Sequence, residues 1–150
     1  MKKDIKTLIF SNDPIACDEI IKVLRNVKEI QKANIDEESL SAMNLLDFDF
    51  IMLHSDASKL LSEESFIEKI QIKADKEKMQ INYFHLFHIP IIVLLDSKDS
   101  AYIEDISSLQ EVSFCLTLDF SKDILIELFN DTVQMVTAIG RIRRKRMNKK

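Results

Sequence analysis

The run Ile89-Pro90-Ile91-Ile92-Val93-Leu94-Leu95 contains no polar side chain. A strand with one face in water alternates apolar and polar residues, so an unbroken aliphatic run predicts a strand covered on both faces. Strands of that kind belong to parallel sheets, whose crossover connections lay helices over each side. Pro90 has no N–H to give to a ladder and is expected at the start of the strand, where none is missed. The rest of the chain must then supply further strands and the helices that cover them.

A β-α-β rhythm does run through it. Ile5 to Phe10 is a short apolar run that opens onto Ser11-Asn12-Asp13-Pro14. Pro14 suits the first turn of a helix with Asp13 as its N-cap, and Ile15, Ile20, Ile21, Val23 and Leu24 recur at helical spacing. A weaker strand, Ile30 to Ile35, precedes the acidic helix start Asp36-Glu37-Glu38-Ser39, which feeds Leu40, Met43, Leu45 and Leu46. Phe48 to Leu53 reads as the third strand. Ser62-Glu63-Glu64-Ser65 begins a third helix with Phe66, Ile67, Ile70 and Ile72 on its inner side, and Lys73 to Lys78 with Ile81 to His88 reads as extra length before the fourth strand. Asp96 to Ser100 reads as a loop, Ala101 to Leu109 as a short helix and Val112 to Leu116 as the fifth strand. Ser121 is expected to cap a long last helix. The expected fold is α/β: a (βα)5 chain forming a doubly wound, parallel five-stranded sheet with helices on both faces.

Composition narrows the function. At 150 residues, 46% hydrophobic and 31% charged, the chain has the size and balance of one globular domain. No apolar run approaches the roughly 20 residues needed to cross a bilayer. The start Met1-Lys2-Lys3-Asp4-Ile5-Lys6 has no small-residue cleavage pattern, so a cytoplasmic location is expected. Cys17 and Cys115 lie inside apolar patterns without C-x-x-C spacing and read as packed, reduced thiols. Gly140 is the only glycine. A Walker loop and a dinucleotide-binding turn both need glycines to bring backbone N–H groups to phosphate, so no nucleotide cofactor is expected. His85 and His88 lie three apart, but two ligands do not make a metal site, and the interleaved Tyr83, Phe84 and Phe87 point to aromatic packing. No metal is expected. Asp96 and Asp99 read as solvated loop acids, and Glu63, Glu64 and Glu68 as an exposed helix face.

Four local patterns, in order, resemble the receiver domain of bacterial two-component response regulators over nearly the whole chain to about residue 138. Thr7-Leu8-Ile9-Phe10-Ser11-Asn12-Asp13-Pro14 is similar to the family's first strand and acidic turn, and Asp49-Phe50-Ile51-Met52-Leu53-His54 to the strand that ends on the phospho-accepting aspartate. Ile89 to Leu95 resembles the strand ending on a conserved Thr or Ser, and Leu116-Thr117-Leu118-Asp119-Phe120 the segment with a conserved lysine and proline. The resemblance implies a flavodoxin-like, CheY-like fold. It also implies a pocket in which two acids hold Mg²⁺, an aspartate attacks phosphorus, a hydroxyl binds the phosphoryl group and a lysine neutralises it. Here the acidic pair falls on Ser11 and Asn12, the acceptor on His54, the hydroxyl on Leu95 and the lysine on Leu118. Neutral side chains cannot replace two carboxylates around a hard cation, and leucine offers a phosphoryl group neither donor nor charge. The chain thus resembles a pseudo-receiver, with Leu95 and Leu118 expected to fill the vacated pocket. A register slip would place Asn12 and Asp13 at the metal position, Thr117 at the lysine position and Asp56 as alternative acceptor, still without the lysine or the hydroxyl at Leu95.

From Lys122 to about Arg146 no proline interrupts a pattern in which Leu125, Leu128, Phe129, Thr132, Met135, Val136, Ile139 and Ile142 recur at helical steps. About 25 residues at 1.5 Å span roughly 37 Å, longer than a helix that only covers its sheet. The surplus apolar stripe predicts pairing with a second copy, hence a homodimer, or with a partner helix. Residues 139–150 form a basic extension, with Arg141, Arg143, Arg144, Lys145, Arg146, Lys149 and Lys150. The formal net charge of −4 splits into +7 for this tail and −11 for everything before it. Three function classes follow. The first is a non-catalytic signalling or scaffold module that binds proteins, through the face that the resemblance implies: the helix over Ala101 to Leu109, the fifth strand and the last helix. The second is a binder of nucleic acid or anionic membrane through the tail, which the acidic body opposes. The third is an atypical phosphorylated receiver of a two-component phosphorelay, or another enzyme.

Overall fold

The chain forms five parallel strands of one sheet: β1 (Lys3–Ser11), β2 (Val27–Ala33, ahead of the expected Ile30 to Ile35), β3 (Phe50–His54), β4 (Ile91–Leu95) and β5 (Phe114–Thr117). The computed structural model describes residues 3–24, 27–62, 65–80 and 89–117, with Glu127, Asn130, Asp131, Gln134 and Met135 in helical conformation. The strand order is β2-β1-β3-β4-β5. The chain leaves β1 towards one edge and then builds from β3 towards the other, so the order reverses between β1 and β3. In open α/β sheets that reversal is where the strand ends splay and functional sites form.

β3 and β4 are buried along their whole length, as their unbroken apolar runs require. Alternate residues feed two cores. Leu8, Phe10, Ile51, Leu53, Val93 and Leu95 pack on one face with Leu40 of α2 (Glu37–Ser41) and with Phe66, Ile67 and Ile70 of the long helix that follows β3. Ile9, Phe50, Met52, Ile92 and Leu94 pack on the other face with Cys17 and Ile20 of α1 (Pro14–Val23). The Phe10 and Phe66 rings meet edge to face, with centroids 4.9 Å apart, a preferred aromatic geometry.

Local chemistry explains where the elements differ from expectation. The third strand starts two residues later than the apolar run, because Asp49 is used to pin it. Its backbone N–H donates to Lys6 O at 2.8 Å, and its Oδ2 accepts from Lys6 N at 2.9 Å. Phe48, although buried, therefore lies ahead of the ladder, after a 3-10 turn at Leu45–Asp47. A short helix, α3 (Ala57–Leu60), precedes the long one, α4 (Phe66–Gln80). Lys73 to Lys78 is not extra length but the second half of α4, a stretch with no Gly or Pro to stop a helix. Ile72 is half exposed rather than inward, and Ile15 is also exposed. Glu77 in α4 accepts the Leu46 N–H at 3.3 Å, which ties the helix to that 3-10 turn. The expected Asp96 to Ser100 loop is largely a 3-10 segment, Ser97–Tyr102, leading into α5 (Ile103–Ser107).

Met135 is 38% exposed. Leu118, Leu125, Leu128, Phe129, Val136, Ile139, Ile142, His85, His88, Glu63, Glu64 and the basic tail from Arg141 lie outside the described residues, as do the 138/139 boundary and the expected cap at Ser121. Among the described residues no helix is long and apolar enough to cross a membrane.

Both cysteines are buried and free. Burial raises the Cys17 thiol above its ordinary value and pushes the Cys115 thiol up to about 11. Since the thiolate is the nucleophile, the native protein at pH 8 is expected to react with iodoacetamide far more slowly at Cys115 than the urea-unfolded chain does. Peptide-resolved alkylation rates test this. The same shift makes Cys115 favour the folded state below the unfolded thiol value of 9.0, a contribution lost as pH rises towards 11.

Candidate functional site

The site forms at the carboxyl ends of β1, β3 and β4. Ser11 is opposite His54 in the β1–β3 ladder, and His54 is opposite Leu94 in the β3–β4 ladder. Side chains alternate along a strand, so His54 and Ser11 share the α1 side of the sheet with Met52 and Ile9. Asp96, two residues beyond Leu94, joins them. Its Oδ1 lies 2.9 Å from His54 Nε2, while Ser11 Oγ lies 3.4 Å from His54 Nδ1.

Chemistry assigns the protons. A carboxylate only accepts, so His54 Nε2 carries the hydrogen that Asp96 receives, while the single Ser11 O–H lies within reach of both Asp13 O and His54 Nδ1. Ser11 Oγ accepts the Asp13 N–H at 3.1 Å and donates to Asp13 O at 3.1 Å. His54 is 6% exposed, whereas the Asp96 side chain is 42% exposed. The unit is a buried imidazole with both nitrogens engaged and one end reaching solvent through a carboxylate.

Asp13, Asn12 and Asp99 are engaged with the backbone. Asp13 Oδ1 accepts from Ile15 N at 3.0 Å and from Ala16 N at 3.4 Å, which makes it the expected N-cap of α1. Asn12 Oδ1 accepts from Ile35 N at 2.8 Å and joins the β1–α1 turn to the segment after β2. Asp96 and Asp99 are not simply solvated loop acids: Asp96 holds His54, and Asp99 Oδ2 accepts the Ala57 N–H at 3.2 Å at the start of α3. Asp56 is partly exposed, 4.0 Å from Lys59 Nζ and 3.5 Å from Lys98 Nζ. Asn12, Asp13, His54, Asp56, Lys59 and Asp96 share the wall of a cavity of about 180 Å³. No group of three or more His, Cys, Asp or Glu side chains that could hold a metal occurs among the described residues.

Leu95 is fully buried, but on the opposite face, with Phe10 and Leu53. It closes the α2–α4 core and is not one of the residues lining the His54 cavity. Thr117, its partner across the β4–β5 ladder, is buried as well. The structure therefore brings Ser11, Asn12, Asp13, His54 and Asp56 to one end of the sheet, while Leu95, expected to fill the same pocket, projects into the opposite core because its parity along β4 differs from that of Leu94. It adds Asp96, which the sequence reading placed in solvent. The available signal was parity, since the second residue after Leu94 falls on the same side of the sheet as His54.

No family model matches the chain, and no curated protein matches it. Solved structures do. A response regulator receiver modulated diguanylate cyclase from Pelobacter carbinolicus superposes with a TM-score of 0.58 at 16% identity, over 94% of this chain and 99% of that one. The fold is CheY-like. A fusion protein containing the yeast Spc42 trimeric coiled coil, amino acids 181–211, superposes with a TM-score of 0.56 at 16% identity, over 97% of this chain and 93% of that one. At this identity the likeness is one of fold.

Proposed function

We propose that this chain is a pseudo-receiver: a signalling or scaffold module that acts by binding protein and is not phosphorylated on aspartate. The hydrogen-bonded unit Ser11–His54–Asp96, at the receiver-like strand ends, carries this reading. An imidazole bonded on both sides replaces a free carboxylate there. Asp13 and Asn12, the polar residues of the first turn, are engaged by the α1 N-terminus and by Ile35 N–H rather than held open for a cation. Leu95 brings hydrocarbon where the family has a hydroxyl. The proposal extends to a cytoplasmic module that pairs with a second copy of itself along the last helix.

Amide shifts in ¹H–¹⁵N NMR test the chemistry. Addition of millimolar Mg²⁺, then of beryllofluoride as a phosphoryl mimic, is expected to leave Asn12, Asp13, His54, Ser55 and Asp56 unmoved. A saturable shift centred on those residues would contradict the proposal.

A further inference from the structure

The helix α4 carries a stripe at three- and four-residue steps that the sheet does not cover: Lys69, Ile72, Lys73, Lys76 and Met79. Residues at this spacing share one helix face. Ile72 is 49% exposed and Met79 61% exposed, and seven residues at 1.5 Å set them about 10 Å apart along the helix. Two large apolar side chains one heptad apart form an anchor row.

Ile72 lines a groove of about 350 Å³ between α2 and α4, with Leu40 as its other apolar residue and Lys69, Lys73, Lys76 and Glu37 as its charged lining; Met79 lies beyond that lining on the same face of α4. Lys69, Lys73 and Lys76 outnumber the carboxylates that pair with them, Glu37 and Glu77, which leaves this edge net positive on a body that is acidic ahead of its tail. Lys69 Nζ reaches Glu37 Oε1 at 2.9 Å, which lays one lysine across the groove from α4 to α2. Lys73 pairs with the mostly buried Glu77 at 3.7 Å. Lys76 is exposed and has no carboxylate within salt-bridge reach among the described residues. Apolar anchors beside the exposed Lys76 and a net positive edge, on an otherwise acidic body, fit one kind of occupant. They repel a basic segment, this chain's own tail included, and attract carboxylates that flank an apolar side chain.

We propose that the α2–α4 groove and the α4 face that continues from it to Met79 are the docking surface for an acidic peptide segment of a protein partner, with apolar side chains seated on Ile72 and Met79 and a carboxylate on Lys76. This rests on the reading of the chain as a protein-binding module, and places the binding surface away from α5 and β5. Carboxylate contacts at the rim steer association and weaken with salt, and the apolar anchors hold the complex.

Selection of a displayed library of short random peptides against the full-length protein tests it. The expected winners carry Asp or Glu around Leu, Ile, Phe or Met, with affinity that falls as salt rises. Ile72→Glu and Lys76→Glu, both at exposed positions that leave the core intact, are each expected to weaken binding about tenfold or more. Tyr102→Glu, at the start of α5, is expected to leave it unchanged. Winners without acidic character, or winners insensitive to both α4 substitutions, would overturn the docking surface. If the same winners are lost in Tyr102→Glu, binding lies on α5 and the protein-binding reading survives. A library that yields no winner would contradict both.

Discussion

The His54→Asp variant, which places a receiver-type carboxylate at the end of β3, is expected to unfold about 3 kcal/mol more easily than the native protein and to remain inert towards acetyl phosphate. His54 is buried and gives its Nε2 hydrogen to Asp96. A carboxylate in its place has no hydrogen to give, faces Asp96 as a like charge, and leaves Ser11 Oγ without its imidazole. Removing one member of a buried polar pair costs on the order of 3 kcal/mol or more when an uncompensated charge stays behind. Solvent at Asp96 keeps the figure at the lower end. The sign of the pH dependence follows. The introduced carboxylate is held above its unfolded value by burial and by Asp96, so the deficit shrinks as pH falls and the group becomes neutral. Urea denaturation at pH 7.5 and pH 5 reads both effects. A variant as stable as the native chain at both would show that the Ser11–His54–Asp96 unit does not hold the strand ends together.

Leu95→Thr, which puts a receiver-type hydroxyl at the end of β4, is expected to cost about 2–4 kcal/mol. Leu95 is completely buried among Phe10, Leu53, Val93 and Ile106. Threonine leaves part of that volume empty and adds a hydroxyl whose hydrogen bonds must be found inside an apolar cluster. The midpoint of urea unfolding should fall with an unchanged slope. An unshifted midpoint would show that the site already accommodates a polar group, as an active receiver pocket does.

The architecture was legible because parallel strands buried on both faces have little freedom in composition. Ile91 to Leu95 and Phe50 to Leu53 can be nothing but core, and Asp13-Pro14 announces a helix. Edges were legible only where the boundary residue used its backbone in the ordinary way. Asp49 looks like part of a strand by neighbourhood, yet its side chain bonds Lys6 N–H and sets the start of β3 one residue further on. The second half of α4 was obscured because Lys73 to Lys78 is rich in charge. Its inward contacts come from Ala74 and from the buried stem of Lys78, which composition reads as solvent-facing.

The candidate site divides the same way. Ser11 and His54 stand at strand ends in motifs that the sequence displays, but their bond depends on the β1–β3 register, a long-range property that no local pattern carries. Asp96 was the hardest to place. Polar residues after a strand are usually solvated, and only its parity with Leu94 puts it beside the imidazole.

Intact-mass spectrometry after incubation with acetyl phosphate and Mg²⁺ addresses the central claim most directly, with the native chain and the Asp56→Asn variant side by side. Both are expected to keep their unmodified mass, since Asp56 stands beside two lysines but shares its cavity with an imidazole already bonded on both sides. A stoichiometric phosphoryl adduct on the native chain that disappears in Asp56→Asn would contradict the account and make the protein a receiver with a displaced acceptor.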